Sequence, residues 1–295
     1  MEDLLLRRRN LLEKQEVGNI RAVCFEADGD QTVSITKKGS APAITMQYSY
    51  NGRSWNTWDL SALSFGGNTK VYVRGVNNTR FASSNWDYNR FTFGTDAYVF
   101  VSGIIESLLD YENEVLQYSM SYIFTNLFHN QTALREADKL KFEAMKNSEA
   151  CYRDMFSDCT NLLTAPELPA TTLGKIPYKN MFSYCRSLIK APSILPATTL
   201  GTEAYSHMFS GCTSLEEAPE LPAETLQGSC YYAMFSSCAR LKTIRCHAKV
   251  AANNATYIWL QMVASSGTFY GHSKYGWTSG GDGIPSGWTF VELTD

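Results

Sequence analysis

Residues 208–226 read MFSGCTSLEEAPELPAETL, and close copies of this stretch fill the second half of the 295-residue chain. In each copy a Met-Phe pair is preceded by Tyr, three residues before the Met, and followed by Cys and Leu, four and seven residues after it. The pairs recur at spacings of 26, 27 and 26 residues. The columns are Tyr152, Tyr178, Tyr205 and Tyr231; Met155, Met181, Met208 and Met234; Cys159, Cys185, Cys212 and Cys238; and Leu162, Leu188, Leu215 and Leu241. Columns in phase over four copies indicate stacked repeats.

The spacing inside one copy predicts its local structure. Tyr, Met, Phe and Cys fall at i, i+3, i+4 and i+7, which fits one face of an α-helix. The proline-containing segment that follows, such as 165–173, predicts an extended stretch. Each copy is therefore expected to be a short helix, a turn and an extended segment. A weaker copy precedes the four, with Leu127-Phe128 at the Met-Phe position and Leu134 at the Leu position.

The part of the chain before the repeats is β-rich by pattern. Residues 44–50 alternate apolar and polar side chains, as in a strand with one wet face, and Asn51-Gly52 then favours a hairpin turn. Several further short apolar runs are separated by turn residues, which is typical of a small β-sandwich.

These patterns predict an α+β fold class with four parts. The parts are a docking helix or peptide over 1–16, a β-sandwich-like domain over 17–110, a solenoid of leucine-rich repeats over 111–246 and a C-terminal cap over 247–295. A repeat period of 26–27 residues lies within the range of leucine-rich repeats.

Net charge, hydropathy and the motifs present argue against several classes of function. A net charge of −3 argues against a nucleic-acid-binding protein, and no apolar stretch is long enough for a membrane span. No phosphate-binding, metalloprotease or serine-hydrolase motif occurs. Glu26, Asp28 and Asp30 fit either a calcium cluster or a plain turn, and the Asp-Gly-Asp pattern favours the turn. No catalytic, cofactor-binding or metal-binding residue is predicted, and the chain is not expected to be an enzyme.

The cysteines allow three interpretations. Seven of the eight lie in the repeat half, so a disulfide framework or a zinc site has to be considered. Cys159, Cys185, Cys212 and Cys238 share one column of the repeat, however. The preferred interpretation is that they are free thiols stacked inside as small buried side chains.

The first residues indicate a docking element. Leu4, Leu5, Leu11 and Leu12 recur at about seven residues and share one helical face. A solvated helix, a membrane-surface helix and a peptide that docks on a partner protein all fit this pattern. Acidic residues precede a short apolar run, so export by the usual route is not expected unless a leader has been removed.

The repeat at 208–226 resembles the BspA-type leucine-rich repeats of surface proteins of gut Bacteroidales and of proteins of their phages. The likeness extends to residues 44–55 and 103–109, and to 266–269 and 283–289 near the end. Residues 1–12 are similar to short leaders on structural proteins of crAss-like phages. The resemblance implies no catalytic residue.

The resulting expectation is a virion structural and binding protein, a fibre or appendage on the head or the tail. Its N-terminal peptide would dock on other virion proteins, and its repeats would display a surface to a host-surface glycan or protein; self-association is one further option. The ligand-binding residues predicted are Trp58, Trp86, Tyr88, Lys179 and Arg186, although Trp58 and Trp86 fit core positions equally well. The alternatives are a bacterial cell-surface adhesin and a polysaccharide depolymerase.

Overall fold

The computed structural model describes residues 20–111, 121–143, 149–249, 254–272 and 276–294. The protein is 2% helical and 30% strand, so the α+β class expected from the sequence is wrong and the fold is nearly all β. A 3-10 helix spans Ile105–Leu108. The strands are β1 (Val23–Ala27), β2 (Gln31–Lys38), β3 (Met46–Ser49), β4 (Asn56–Trp58), β5 (Leu63–Phe65), β6 (Val71–Gly75), β7 (Tyr88–Phe93), β8 (Val99–Ile104), β9 (Leu134–Lys141), β10 (Thr243–Arg245), β11 (Gly267–Gly271) and β12 (Trp288–Glu292).

Two sheets form the N-terminal half. One has six strands in the order β4-β3-β6-β1-β8-β9, and the other has three in the order β5-β2-β7. Alternate residues of β7 are buried, which is the period-two pattern of a strand with one face on the core. Phe25 of β1 packs edge-on against Phe91 and Phe93 of β7, with ring centroids 5.0 Å and 5.2 Å away.

A parallel edge connects this half to the repeats. β9 belongs to the weak first copy of the repeat, and it pairs in parallel with β8. Single parallel bridges then join Glu136 to Thr164 and Thr164 to Lys190, and a further one joins Glu217 to Thr243 in β10. β10, β11 and β12 continue as a parallel three-stranded sheet. Each copy of the repeat therefore contributes its extended segment to one side of a stack.

The segments predicted to be helices are turn ribbons instead. In the copy at 150–159, the N–H of Met155 bonds the carbonyl of Tyr152, three residues back, whereas the N–H of Phe156 bonds the carbonyl of Met181 in the next copy. In an α-helix, both N–H groups would bond carbonyls four residues back within the same segment. Every fourth residue also has a positive φ. In the first three full copies these residues are Ala150, Asp154 and Asp158; Ile176, Asn180 and Tyr184; and Glu203, His207 and Gly211.

Aromatic ladders run through the stack. Neighbouring rings of the ladder from Phe128 to Phe235 have centroids 5.3–5.5 Å apart and planes within 13° of each other. A second ladder runs from Tyr152 to Tyr231 with centroids 5.6–6.1 Å apart. Each fully buried ring of this kind stabilises the fold by about 1.5–3 kcal/mol, so the ladders are a major part of the core.

A further turn ribbon follows the fourth full copy. Asn254, Ile258 and Met262 have positive φ at the same four-residue interval, and Trp259 occupies the position of the repeat Met. This ribbon lies within the segment that the sequence pattern assigned to a cap. In the described ranges, none of the helical segments has the length and hydrophobicity of a membrane span.

Candidate binding face

The outer side of the turn ribbons forms a surface, here called the turn face, in which Ser206 and Ala233 are buried and the other residues are at least partly exposed. It consists of the residue after each ladder position and the positive-φ residue that follows it, one pair per copy, together with Trp86 of the loop whose Asn85 carbonyl accepts from Asn126 of the weak first copy. The pairs are Arg153 and Asp154, Lys179 and Asn180, Ser206 and His207, Tyr232 and Ala233, and Tyr257 and Ile258. Because the core columns repeat while these positions vary, the turn face is where one copy differs chemically from the next.

Trp86 marks the N-terminal end of the turn face. It lies in the loop before β7 and is 82% exposed. The loop is held against the first turn ribbon, since the side-chain amide of Asn126 donates to the carbonyl of Asn85 over 3.1 Å. Asp87 fixes its other side by accepting hydrogen bonds from the Ser40 N–H and the Ser84 hydroxyl. These bonds lower the pKa of the Asp87 carboxyl, so the carboxylate is ionised at neutral pH.

The middle of the turn face carries paired charges. The Arg153 guanidinium donates to Asp154 over 2.9 Å, and Asp154 also accepts from the Asn180 amide of the next copy over 2.7 Å. Lys179 forms an ion pair with Glu203 of the following copy. The side chains here are therefore fixed by bonds across copies.

An aromatic strip made of His207, Tyr232 and Tyr257 occupies the C-terminal end of the turn face. The His207 and Tyr232 ring centroids lie 4.8 Å apart, and the Tyr232 and Tyr257 centroids lie 5.7 Å apart with their planes at 20°. Burial, aided by the Lys179 charge, lowers the pKa of His207, so its ring is neutral at pH 7. Tyr257 ends the strip and is 48% exposed.

An open cavity of about 450 Å³ lies beside Tyr257. Its lining includes Asn254, Thr256, Gln261, Thr278 and Asp282. One wall is fixed by Asp282, whose carboxylate accepts from the Ile258 N–H over 2.6 Å. The backbone carbonyl of Asp282 accepts from the Thr256 hydroxyl over 2.8 Å. An aromatic ring and hydrogen-bonding groups thus meet at one preformed concave site.

The predicted ligand residues are scattered. Trp86 and Lys179 lie on the turn face, whereas Arg186 is exposed in the turn after Cys185, and Tyr88 is half-buried in β7. Trp58 is only 3% exposed, stacks on Phe91 and donates its indole N–H to the Ser61 carbonyl. Its ring is not accessible to a ligand, so the ligand role predicted for Trp58 is corrected to a core role.

One predicted set of residues cannot be placed, and two residues of the turn face were not predicted. Leu4, Leu5, Leu11 and Leu12 lie outside the described residues, so the docking prediction stays a prediction. Tyr232 and Tyr257 were missed. Tyr232 lies in the same column as Lys179, which is a signal for the turn face, but the copy that holds Tyr257 lacks the Met-Phe pair.

The cysteine column is structural. All eight cysteines are buried and free. Cys159, Cys185, Cys212 and Cys238 each donate a thiol hydrogen bond to the carbonyl of the Phe in the preceding copy, over 3.0–3.1 Å. Burial raises the pKa of Cys159 and of Cys238 to about 12, and it raises the other two as well. The thiolate is the reactive form, so these thiols are inert at neutral pH.

Across the described ranges, no group of three or more His, Cys, Asp or Glu side chains is placed to hold a metal ion. No family model matches the chain, and neither a curated protein nor a solved structure matches it.

Proposed function

We propose that this chain is a non-enzymatic structural and binding protein of a phage virion that presents its turn face to a glycan or protein on the host surface. The observation that supports it best is the turn face itself, which has exposed aromatic residues at both ends and paired charges between them. Tyr and Trp are the side chains that contribute most to recognition surfaces.

The stack favours this use on energetic grounds. Backbone hydrogen bonds join each copy to the next at every second residue of a ribbon, so the face is ordered before a ligand arrives. A preorganised surface loses little conformational entropy on binding, so more of the contact energy remains as affinity. Neighbouring core rings 5.3–5.5 Å apart also set a regular spacing for the groups on the face.

The placement in a virion is supported by the sequence. The repeats resemble those of phage and surface proteins, and residues 1–12 resemble leaders of phage structural proteins. On this proposal the chain docks on capsid or tail proteins through Leu4, Leu5, Leu11 and Leu12.

Mass spectrometry of gradient-purified phage particles, run beside the outer-membrane fraction of the host, tests the location. We expect peptides of this chain in the particles at a fixed ratio to the major capsid protein. Peptides confined to the membrane fraction would instead identify an exported adhesin. Particles carrying a chain that lacks residues 1–12 should lose this protein while the purified variant keeps its melting temperature; normal occupancy would contradict the docking role.

Binding and catalysis are separated with purified protein. We expect the fluorescently labelled chain to bind host cells and to leave soluble capsular polysaccharide uncleaved. A new reducing end or a fall in polymer size would identify a depolymerase and overturn the non-enzymatic proposal. Absence of cell binding would overturn the binding role.

A further inference from the structure

We infer that the aromatic strip and the cavity beside Tyr257 form a carbohydrate subsite that takes a neutral hexose unit of a polysaccharide. This inference deepens the proposed function by naming the ligand class and the place where it binds, and it rests on that proposal for its biological role. The juxtaposition that carries it is a stacked, half-exposed tyrosine next to amide, hydroxyl and carboxylate groups that line one cavity, where Asp282 is held by the Ile258 N–H and Thr256 by the Asp282 carbonyl.

Tyr257 supplies the platform. Tyr232 stacks on its ring with the centroids 5.7 Å apart and the planes at 20°, and Tyr257 nevertheless remains 48% exposed. The apolar C–H face of a pyranose packs well on such a ring, because the negative face of the aromatic system attracts the polarised hydrogens. A tyrosine also has few rotatable bonds, so little entropy is lost when a ligand covers it.

The cavity supplies hydrogen bonds for the hydroxyl rim of a sugar. Asn254 and Gln261 carry amides, which both donate and accept, and Thr278 carries a hydroxyl. An ionised carboxylate has about four acceptor positions, and the Ile258 N–H occupies one of them at Asp282. A single polar group would not distinguish a sugar from water, but several that converge beside an aromatic platform fit a polyhydroxylated ring.

The charge of the site selects among sugars. The described residues that line the cavity include Asp282 and no Lys or Arg. An anionic sugar, such as a sialylated or sulfated one, would face the Asp282 carboxylate, which repels it. The lining is accordingly matched to a neutral unit.

Binding of the purified full-length chain to three soluble neutral polysaccharides, mannan, galactan and dextran, tests the inference by microscale thermophoresis. A sialylated and a sulfated oligosaccharide serve as the anionic comparison. We expect at least one neutral polysaccharide to bind and the anionic probes to bind at least 10-fold more weakly. Equal or tighter binding of the anionic probes, or no binding of any neutral polysaccharide, would overturn the inference.

Matched variants locate the site. Tyr257→Ala should weaken binding of the neutral polysaccharide at least 10-fold, whereas Tyr257→Phe should keep it within 3-fold because the ring remains. Tyr50→Ala is the control, since Tyr50 lies in the sandwich half with nearly the same exposure, 46%. Each variant is compared only if its melting temperature matches the wild type. Unchanged binding in Tyr257→Ala would place the sugar elsewhere and refute the subsite.

The same variants separate this inference from the proposed function. If wild-type chain and Tyr257→Ala bind both host cells and the neutral polysaccharide equally, the binding role stands and the subsite is wrong. If wild type binds the neutral polysaccharide through Tyr257 but does not bind host cells, the subsite stands and the proposed role at the host surface fails.

Discussion

The stack ends on the two sheets of the N-terminal half at one end and on tryptophans at its C-terminal end. Phe128, the first ring of the ladder, packs on Phe25, Phe91 and Phe93 of the sandwich sheets. At the other end the Tyr ladder stops on Trp259, which lies on Tyr231 on one side and on Trp277 on the other. A repeat stack exposes apolar surface at each end unless something covers it, and this chain uses two solutions.

The two ends also differ in polarity. The N-terminal junction buries Glu106 of the 3-10 helix, whose Oε1 accepts from the Tyr152 hydroxyl over 2.9 Å. Within the described residues, its Oε2 has no hydrogen-bond partner. The C-terminal end buries indole rings whose N–H groups bond backbone carbonyls, as Trp259 does with Gly283 over 3.0 Å. The stability of the N-terminal end therefore depends on the protonation of Glu106, whereas that of the C-terminal end depends on the packing of the tryptophans.

The largest expected effects come from removing the end rings. Phe128→Ala and Trp259→Ala should each cost about 3–5 kcal/mol, because both side chains are fully buried. Denaturant unfolding measures the loss.

The two variants should differ in where the structure opens. Trp259→Ala should speed amide hydrogen exchange mainly over 254–294, whereas Phe128→Ala should raise exchange in both the sandwich and the first copies, because Phe128 joins them. Equal exchange patterns in the two variants would contradict the difference between the ends.

A smaller effect is expected from Glu106→Gln. Burial raises the pKa of Glu106 from 4.5 to about 7. The folded protein therefore holds a proton that the unfolded chain has released between these pH values. Stability falls as pH rises from 4.5 to 7, by about 3 kcal/mol in total from this group.

Glutamine keeps the shape and cannot ionise, so Glu106→Gln should remove this fall and be the more stable protein at pH 8. Urea unfolding of both proteins at pH 5 and pH 8 measures the change. Parallel pH dependence in the two proteins would show that Glu106 does not couple folding to pH.

The columns of the repeat could be predicted from the sequence, because a fixed period brings like side chains into register whatever the backbone does. The backbone conformation could not be predicted in this way. A turn ribbon with one positive-φ residue in four buries the side chains at positions i, i+3, i+4 and i+7, just as a helix does. Asp154, Asp158 and Asn180 were the available signal, because Asp and Asn tolerate positive φ better than most residues.

The candidate site was predicted in part for a related reason. Lys179 and Trp86 were singled out as variable or aromatic positions, and both lie on the turn face. The sequence could not show that Trp58 is buried and Trp86 exposed, because neither belongs to a repeating pattern from which burial can be predicted. Tyr257 was hidden because Trp259 replaces the repeat Met and the last ribbon is offset from its predecessor by 25 residues, as the pairing of Thr243 with Thr268 shows.

The smallest expected effect distinguishes turn ribbon from helix at the tryptophan end. Met262 is 68% exposed and has a φ of 59°. Relief of about 1–2 kcal/mol of left-handed strain in Met262→Gly outweighs the chain entropy that glycine adds, about 0.5–1 kcal/mol. We therefore expect a net gain of about 0.5 kcal/mol in unfolding free energy. The neighbouring Gln261, which has no positive φ, should lose about that much in Gln261→Gly. In a helix both glycines would destabilise by about 1 kcal/mol, so opposite signs in the two melting curves support the ribbon and equal losses reject it.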